Sequence, residues 1–415
     1  MSVKKIIFFL LFFSFIFLPL KSESYSEIEI ISVEKNQKII NRLKQMEVDF
    51  LMEWKNRVYI VCNIADLLRL QEEKISYIIE TPDFYPHKQR VLSLQQGING
   101  AYHSYLELEA DLMALEESYP HLAKVFDIGD SLEERNIYAL KISDNVLLDE
   151  EEAEVIFVGC HHAREWISVE VPYLVGKYLV ENYERIPEVK SLVDRSEIWI
   201  VPLVNPDGLE YSIHVYRYWR KNRRNNGYGS YGVDLNRNYG YNWGYDDYGS
   251  SSNPFSEVYR GHASFSEPET QAIRDLFLQK DFQAIISFHS YSQVILYPWG
   301  YTKEPTAKDE LLEELSSEMY EVMEAVNGRK YEYGQAGSLL YLTNGGTTDW
   351  AFGIYGVPSF TIELPPVDIF RGGFFNAEED ISSIFGENLP AVLYLIEWCI
   401  QNFKPEDISQ FSSPF

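Results

Sequence analysis

His162 and Glu165 stand three residues apart, with Arg164 between them, in the stretch Gly159-Cys160-His161-His162-Ala163-Arg164-Glu165-Trp166-Ile167. An imidazole and a carboxylate this close can ligate one zinc ion. With 8 His in the chain, about one H-x-x-E string arises by chance, so the pair needs a position and a third partner. Its position is favourable. Val155 to Val158 is a short apolar run that reads as a buried strand. Ser168 to Tyr183 reads as a helix, with Ser168 as its N-cap. The pair therefore falls where a strand ends, the edge at which open α/β sheets bind ligands.

A third ligand is expected at another strand end, and His289 follows the apolar run Ala284 to Phe288. Taken alone it is equally a satisfied core histidine. His162, Glu165 and His289 together would leave one zinc position open for water. Zinc lowers the pKa of such a water to about 7 and polarises a carbonyl. Glu363 is a carboxylate near the end of another apolar run, Ser359 to Leu364. It reads as a functional carboxylate, or as a strand-end acid with a structural partner. Arg220 lies in the basic run Arg217 to Arg224, which by itself reads as a solvated segment.

The elements that must position these residues form two units. Residues 25–81 read β-α-β-β-α-β: a strand at Glu27 to Val33, a helix at Asn36 to Met46, a hairpin of Val48 to Trp54 with Arg57 to Cys62, a helix from Asn63 to Glu73, and a strand at Ile75 to Glu80. That order is ferredoxin-like. Residues 82–99, with Pro82, Pro86, Lys88, Arg90 and Gly97, read as a linker whose Lys88 and Arg90 suit a trypsin-like protease. From residue 100 to 404, helices and strands alternate, which predicts an α/β domain with a mixed central sheet covered by helices on both faces. Within it, Asn205-Pro206-Asp207-Gly208 reads as a turn. Trp219 to Ser252 is a long irregular stretch of the kind that usually carries function. Residues 405–415 read as a short tail.

Lys4 and Lys5 followed by the apolar run Ile6 to Leu20 read as a secretory signal peptide over 1–24. The protein is expected to be secreted, extracellular or periplasmic, without a membrane span in its mature form. Cys62, Cys160 and Cys399 are too few and too scattered for a disulfide framework and read as buried thiols. A net charge of −27 argues against nucleic acid as a partner, since phosphate binding needs a basic footprint.

The catalytic region resembles the zinc metallocarboxypeptidases of the pancreatic carboxypeptidase A and B type, from about Tyr102 to Phe403. The strings that carry the resemblance are the one around His162 and Glu165, Asn205-Pro206-Asp207-Gly208, Trp219-Arg220-Lys221, Asp234-Leu235-Asn236-Arg237-Asn238, His289-Ser290-Tyr291-Ser292, Gly345-Gly346 before Asp349-Trp350, and Phe360-Thr361-Ile362-Glu363-Leu364. The resemblance implies one zinc ion on His162, Glu165 and His289, with His161 left without a role. It implies Glu363 as general base and Arg220 as oxyanion stabiliser. Arg237 with Asn236 would clamp the substrate's terminal carboxylate, which a guanidinium fork can grip by two parallel bonds. Tyr341 would close over the substrate, Arg164 and Tyr291 would contact residues upstream of it, and Asp234 would fix the tautomer of His162. The N-terminal unit resembles the family's pro-segment, which covers the site until it is cut off.

The sequence also departs from the family. Phe255 stands where the pancreatic enzymes carry a disulfide Cys, so that bridge is absent. The position that sets side-chain preference is Thr348, with Gly300, Ala336 and Leu296 also expected in the pocket. Without a buried anion there, aromatic or aliphatic C-terminal residues are expected in place of basic ones. The expected partners are peptide and protein C-termini and an activating protease, and a monomer is expected. An amidase cutting peptidoglycan stem peptides, or a non-catalytic zinc- or peptide-binding protein, could use the same scaffold. The carboxylate clamp speaks against the first, and the full set of ligands, base and Arg220 against the second.

Overall fold

The computed structural model describes residues 29–46, 48–54, 56–62, 64–80, 99–368 and 371–404. The expected leader, Lys88 and Arg90 of the expected linker and the expected tail lie outside them. The N-terminal unit runs β1 (Glu29–Glu34), α1 (Gln37–Met46), β2 (Asp49–Trp54), β3 (Arg57–Cys62), α2 (Ile64–Glu72) and β4 (Tyr77–Ile79). Its sheet has the order β2-β3-β1-β4 with every pair antiparallel, the expected ferredoxin-like arrangement. Strand alternation gives that sheet two buried faces. Ile31, Val33, Val58 and Ile60 pack with Leu43 and Leu70 as the unit's own core. Ile30 and Val61 point the other way, against Tyr218 and Phe374 of the larger unit, with Tyr291 packed beside them.

The larger unit continues with α3 (Tyr105–Ser118), β5 (Ala123–Asp130), β6 (Asn136–Ile142), β7 (Ala153–Gly159), α4 (Ile167–Asn182), α5 (Pro187–Val193), β8 (Ser196–Val201) and α6 (Pro206–His214). A two-strand ribbon, β9 (Asn225–Gly227) with β10 (Ser230–Tyr231), interrupts the otherwise irregular stretch that follows. Then come α7 (Pro268–Gln279), β11 (Phe282–Ser290), β12 (Val294–Tyr297), α8 (Asp309–Asn327), β13 (Glu332–Gln335), α9 (Ala336–Leu339), α10 (Thr347–Tyr355), β14 (Ser359–Leu364) and α11 (Ile381–Asn402). Eight strands form one sheet in the order β13-β12-β14-β11-β7-β8-β6-β5. Its centre, β14-β11-β7-β8, is parallel, and β12, β6 and β5 add antiparallel pairs. A parallel centre must be covered on both faces. Phe157, Ile198, Ile286 and Phe360 pack under α4, α8 and α11 on one side. Ile156, Trp199 and Ile285 pack under α7 and α10 on the other, together with Trp350 of α10. Among the described residues no helix is long and apolar enough to cross a membrane. All three cysteines are buried and outside any disulfide, as expected.

Two local expectations are corrected. Ser168 lies inside α4, whose first residue is Ile167, and is not its cap. Its hydroxyl instead accepts from Cys160 N (3.1 Å) and donates to Glu165 O (2.6 Å), closing the loop that holds His162 and Glu165. Asn205-Pro206-Asp207-Gly208 is not a free turn but the start of α6. Asn205 caps it by accepting from Gly208 N, and Pro206 occupies the first turn, where a missing N–H costs nothing. Gly159 ends β7 because nothing larger fits: a Cβ there would lie 2.0 Å from Ser168 O. This closeness lets α4 begin directly above the strand end.

Candidate active site

The parallel centre sends three chain segments out at the same carboxyl edge. The loop after β7 carries His162 and Glu165, the end of β11 carries His289, and the end of β14 carries Glu363. His162 Nδ1 lies 2.8 Å from Glu165 Oε1, and His289 Nδ1 lies 3.0 Å from Glu165 Oε2 and 3.1 Å from His162 Nδ1. All three side chains are buried. Their donor atoms lie within 4.8 Å of one another, so a single ion could touch all of them. Burial opposes the charge on Glu165, but His162 and His289 outweigh it and hold the carboxylate ionised. Burial lowers the pKa of His289, which favours the neutral imidazole a metal requires. Two imidazoles and one carboxylate are a donor set that fits zinc. Among the described residues two other acidic groups could gather round an ion, but neither contains an imidazole, and Lys280 occupies one of them.

Behind the three lies a second layer. Asp234 Oδ1 is 3.2 Å from His162 Nε2, and Asp234 Oδ2 accepts from Arg220 Nε (3.0 Å) and Nη2 (2.8 Å). Burial penalises this carboxylate, yet Arg220, Arg237 and His162 overcome the penalty and depress its pKa. Asp234 also caps the short 3-10 turn Leu235–Arg237 by accepting from Asn236 N. One carboxylate thus orients a ligand histidine, an arginine and the turn bearing Asn236 and Arg237. The Arg237 guanidinium is buried, donating from Nε to Gly249 O and from Nη1 to Asn236 O. Glu363 is half-buried. Burial and the nearby Glu165 raise its pKa well above the ordinary carboxylate range, while Arg220 and Arg237 pull it back.

The remaining predicted residues surround this centre. Arg164 is buried with its guanidinium 4.3 Å from the Phe374 ring, and Tyr291 meets the same ring edge-on at 4.8 Å. Tyr341 is 53% exposed and lies within electrostatic range of Arg220. Thr348 sits in the first turn of α10. Gly300 and the segment from Ala336 come together there, with Gly337 N donating to Trp299 O and Thr343 N to Gly300 O. Asp349, one residue on, is a buried carboxylate accepting from the Gly300 and Tyr301 amides, and burial pushes its pKa up to about 6.

Sequence reasoning left His161 without a role and passed over Ser287, Tyr239 and Thr347. His161 Nε2 lies 2.8 Å from the Tyr239 hydroxyl and 3.0 Å from Thr347 Oγ1, and its Nδ1 lies 3.4 Å from Ser287 Oγ. Ser287 Oγ is in turn 3.1 Å from His289 Nε2. The signal for Ser287 was its place two residues before His289, on the same face of one strand.

The zinc carboxypeptidase family profile matches residues 108–391. Carboxypeptidase B of Astacus astacus is 36% identical over 288 residues, spanning 68% of this chain and 91% of that protein. Carboxypeptidase A1 of Sus scrofa is 35% identical over 299 residues, spanning 71% and 70%. Among solved structures, thrombin activatable fibrinolysis inhibitor superposes with a TM-score of 0.77 at 26% identity, over 91% of this chain and 99% of that one. The fold, the buried His–Glu–His donor set and these relatives agree, and the chain belongs to the zinc carboxypeptidase family as a zinc metallocarboxypeptidase.

Proposed function

We propose that this enzyme is a secreted exopeptidase, made as an inactive precursor, that removes single C-terminal residues with neutral side chains. The observation that carries the reading is the shared anchoring of both halves of the site by Asp234. It holds ligand His162 through one oxygen, and through its turn it sets Asn236 and Arg237 beside the metal position. A free carboxylate gripped by Arg237 and Asn236 would thereby place the last peptide bond next to the ion.

Zinc, when bound, supplies Lewis acidity at the scissile carbonyl and makes water acidic enough to attack near neutral pH. Glu363 takes the proton from the attacking water and passes it to the leaving amine. Arg220, held by Asp234, donates to the oxyanion that forms as the carbonyl is attacked. Tyr341 covers the terminal residue, and Arg164 and Tyr291 receive the residues before it. The pocket around Thr348 accepts neutral side chains, because the carboxylate near it, Asp349, is spent on two backbone amides.

The precursor reading is supported by where the N-terminal sheet rests. Ile30 and Val61 bury Tyr218 and Phe374, the ring that Arg164 and Tyr291 share. Secretion is supported by the leader-like residues 1–24. The test compares full-length protein with protein cut near Arg90, on a chromogenic peptide and its C-terminal amide, with and without chelator. The cut form should hydrolyse only the free acid, the uncut form should be slow, and chelator should stop both. Equal rates for cut and uncut protein would remove the precursor, and equal rates for acid and amide would remove the clamp.

A further inference from the structure

We propose that a cavity at the far edge of the large sheet is a docking site for an extended peptide of a partner protein, one that carries a large apolar residue close to a lysine or arginine. The cavity measures about 320 Å³, at the lower end of the range for binding pockets. Its walls come from Phe126 on β5, Leu147 and Leu148 in the loop after β6, Trp199 on β8 and Lys280 after α7. That loop leads into β7, and Lys280 leads into β11. The cavity therefore lies toward the amino ends of the strands whose carboxyl ends carry the His162 loop and His289. It is separate from the catalytic cleft.

Leu147 is 76% exposed, Leu148 59% and Phe126 37%. Large apolar side chains gathered round one hollow, on a chain of net charge −27, mark a surface built to be covered. The floor is already in place. Trp199 is buried, its ring meets Phe126 at 5.3 Å, and the Lys141 and Lys280 ammonium groups sit over it at 5.9 and 5.3 Å. Neither lysine is open to an anionic ligand. Lys141 donates to Leu148 O and to Glu197, and Lys280 lies 2.7 Å from Asp149, 3.1 Å from Glu154 and 3.3 Å from Glu197. Three carboxylates thus face two cations, Asp127 borders the same cavity, and Glu150 and Glu151 follow Asp149. The surplus is negative, so its complement is a cation beside an apolar group. The edge of the sheet favours a peptide as the carrier. β5 is the last strand in the sheet order, and no strand among the described residues pairs with its outer side. Glu116 accepts from Val125 N (2.8 Å), and Phe126 follows at the cavity. An extended chain adds to such an edge by main-chain hydrogen bonds while a side chain fills the pocket beside it.

The test titrates the full-length chain into a fluorescent peptide, Gly-Phe-Gly-Lys-Gly blocked at both ends, and follows anisotropy. This probe should bind, equally with and without chelator. Exchanging its Phe for Gly should weaken binding by at least about tenfold. Exchanging its Lys for Glu should weaken it by about tenfold at low salt, and by less as salt is raised. Leu147→Lys, at an exposed position, should also weaken it at least about tenfold, with melting temperature and hydrolysis of a chromogenic peptide unchanged. No binding of the Phe-Lys probe, equal binding of the altered probes, or full binding by Leu147→Lys would overturn the site. Phenethylamine binding as tightly as the peptide would make a free amine the occupant. A dimer of the chain that Leu147→Lys dissolves would make it a second copy. Either result would overturn the partner peptide.

Discussion

Glu363 is the register partner of His289 in the parallel pair of β14 and β11. Neighbouring parallel strands lie about 4.8 Å apart, so this register places a carboxylate beside the His289 imidazole without any loop to position it. A slip of one residue would turn Glu363 into the opposite layer of the sheet. Ile362 and Leu364, on either side of Glu363, are fully buried in the core, which fixes the register.

Replacing that carboxylate tests its role. Glu363→Gln keeps the shape and a hydrogen-bonding end but cannot take a proton. Turnover should fall by about 10²- to 10⁴-fold, with bound zinc measured by metal analysis unchanged. The raised pKa of Glu363 also has a sign. The base must be ionised, so kcat/KM should fall as pH drops through its pKa, and that limb should lie above the ordinary Glu value of about 4.3. A bound cation pulls it downward but does not reverse the desolvation. A limb at or below 4 would show that the titrating group is not a desolvated carboxylate.

Asp234 should be costly to change for two separable reasons. In Asp234→Asn, His162 loses its charged partner and zinc affinity should drop 10- to 100-fold. The buried Arg220 guanidinium also loses its counter-charge, which costs about 3–5 kcal/mol of stability. Chelator titration reads the first and denaturant unfolding of the metal-free protein the second. Full stability in the variant would mean that Arg220 finds another anion.

The pocket reading predicts a change of preference at one position. Wild-type protein should favour peptides ending in Phe or Leu over those ending in Lys or Arg. Thr348→Asp adds an anion at the mouth of that pocket and should shift kcat/KM toward Lys and Arg by at least tenfold. A wild-type enzyme already preferring basic residues would place the pocket elsewhere.

His103 makes stability depend on pH at the start of the catalytic unit. Its Nδ1 lies 2.7 Å from Glu170 and its Nε2 3.1 Å from Asp111. Burial opposes the imidazolium, but these two carboxylates outweigh it and raise the pKa from 6.5 to about 9. A folded pKa above the unfolded one means that the charged form stabilises the fold. The contribution is complete below about 6.5 and is lost as pH rises through about 9. It amounts to about 3 kcal/mol. Melting temperatures at pH 6 and pH 10 should differ more in wild type than in His103→Gln, and equal differences would dismiss this ion cluster.

Much of this molecule can be read from local pattern. The apolar runs before His162, His289 and Glu363 become β7, β11 and β14, because a strand covered on both faces must be apolar throughout. Period-two alternation and a two-residue turn likewise account for the N-terminal unit and its ferredoxin-like order. The short strands β12 and β13 and the helices α9 and α10 escaped notice, because four to nine residues hold too little periodicity to read. Ser168 and Asn205 have the residue types of caps, yet only the packed structure decides that Ser168 ties a loop while Asn205 starts a helix.

By itself, then, the sequence determined which residues could bind a metal and move protons, since side-chain chemistry and spacing within a segment are local properties. Tertiary structure alone decided which of them meet. His289 and Glu363 reach His162 and Glu165 through strand register, and Asp234 reaches both His162 and Arg220 through a buried turn. His161 found its hydrogen-bond partners only when Ser287, Tyr239 and Thr347, distant along the chain, closed around it. A buried polar group must find partners wherever the fold supplies them, and no linear pattern records which partners those will be.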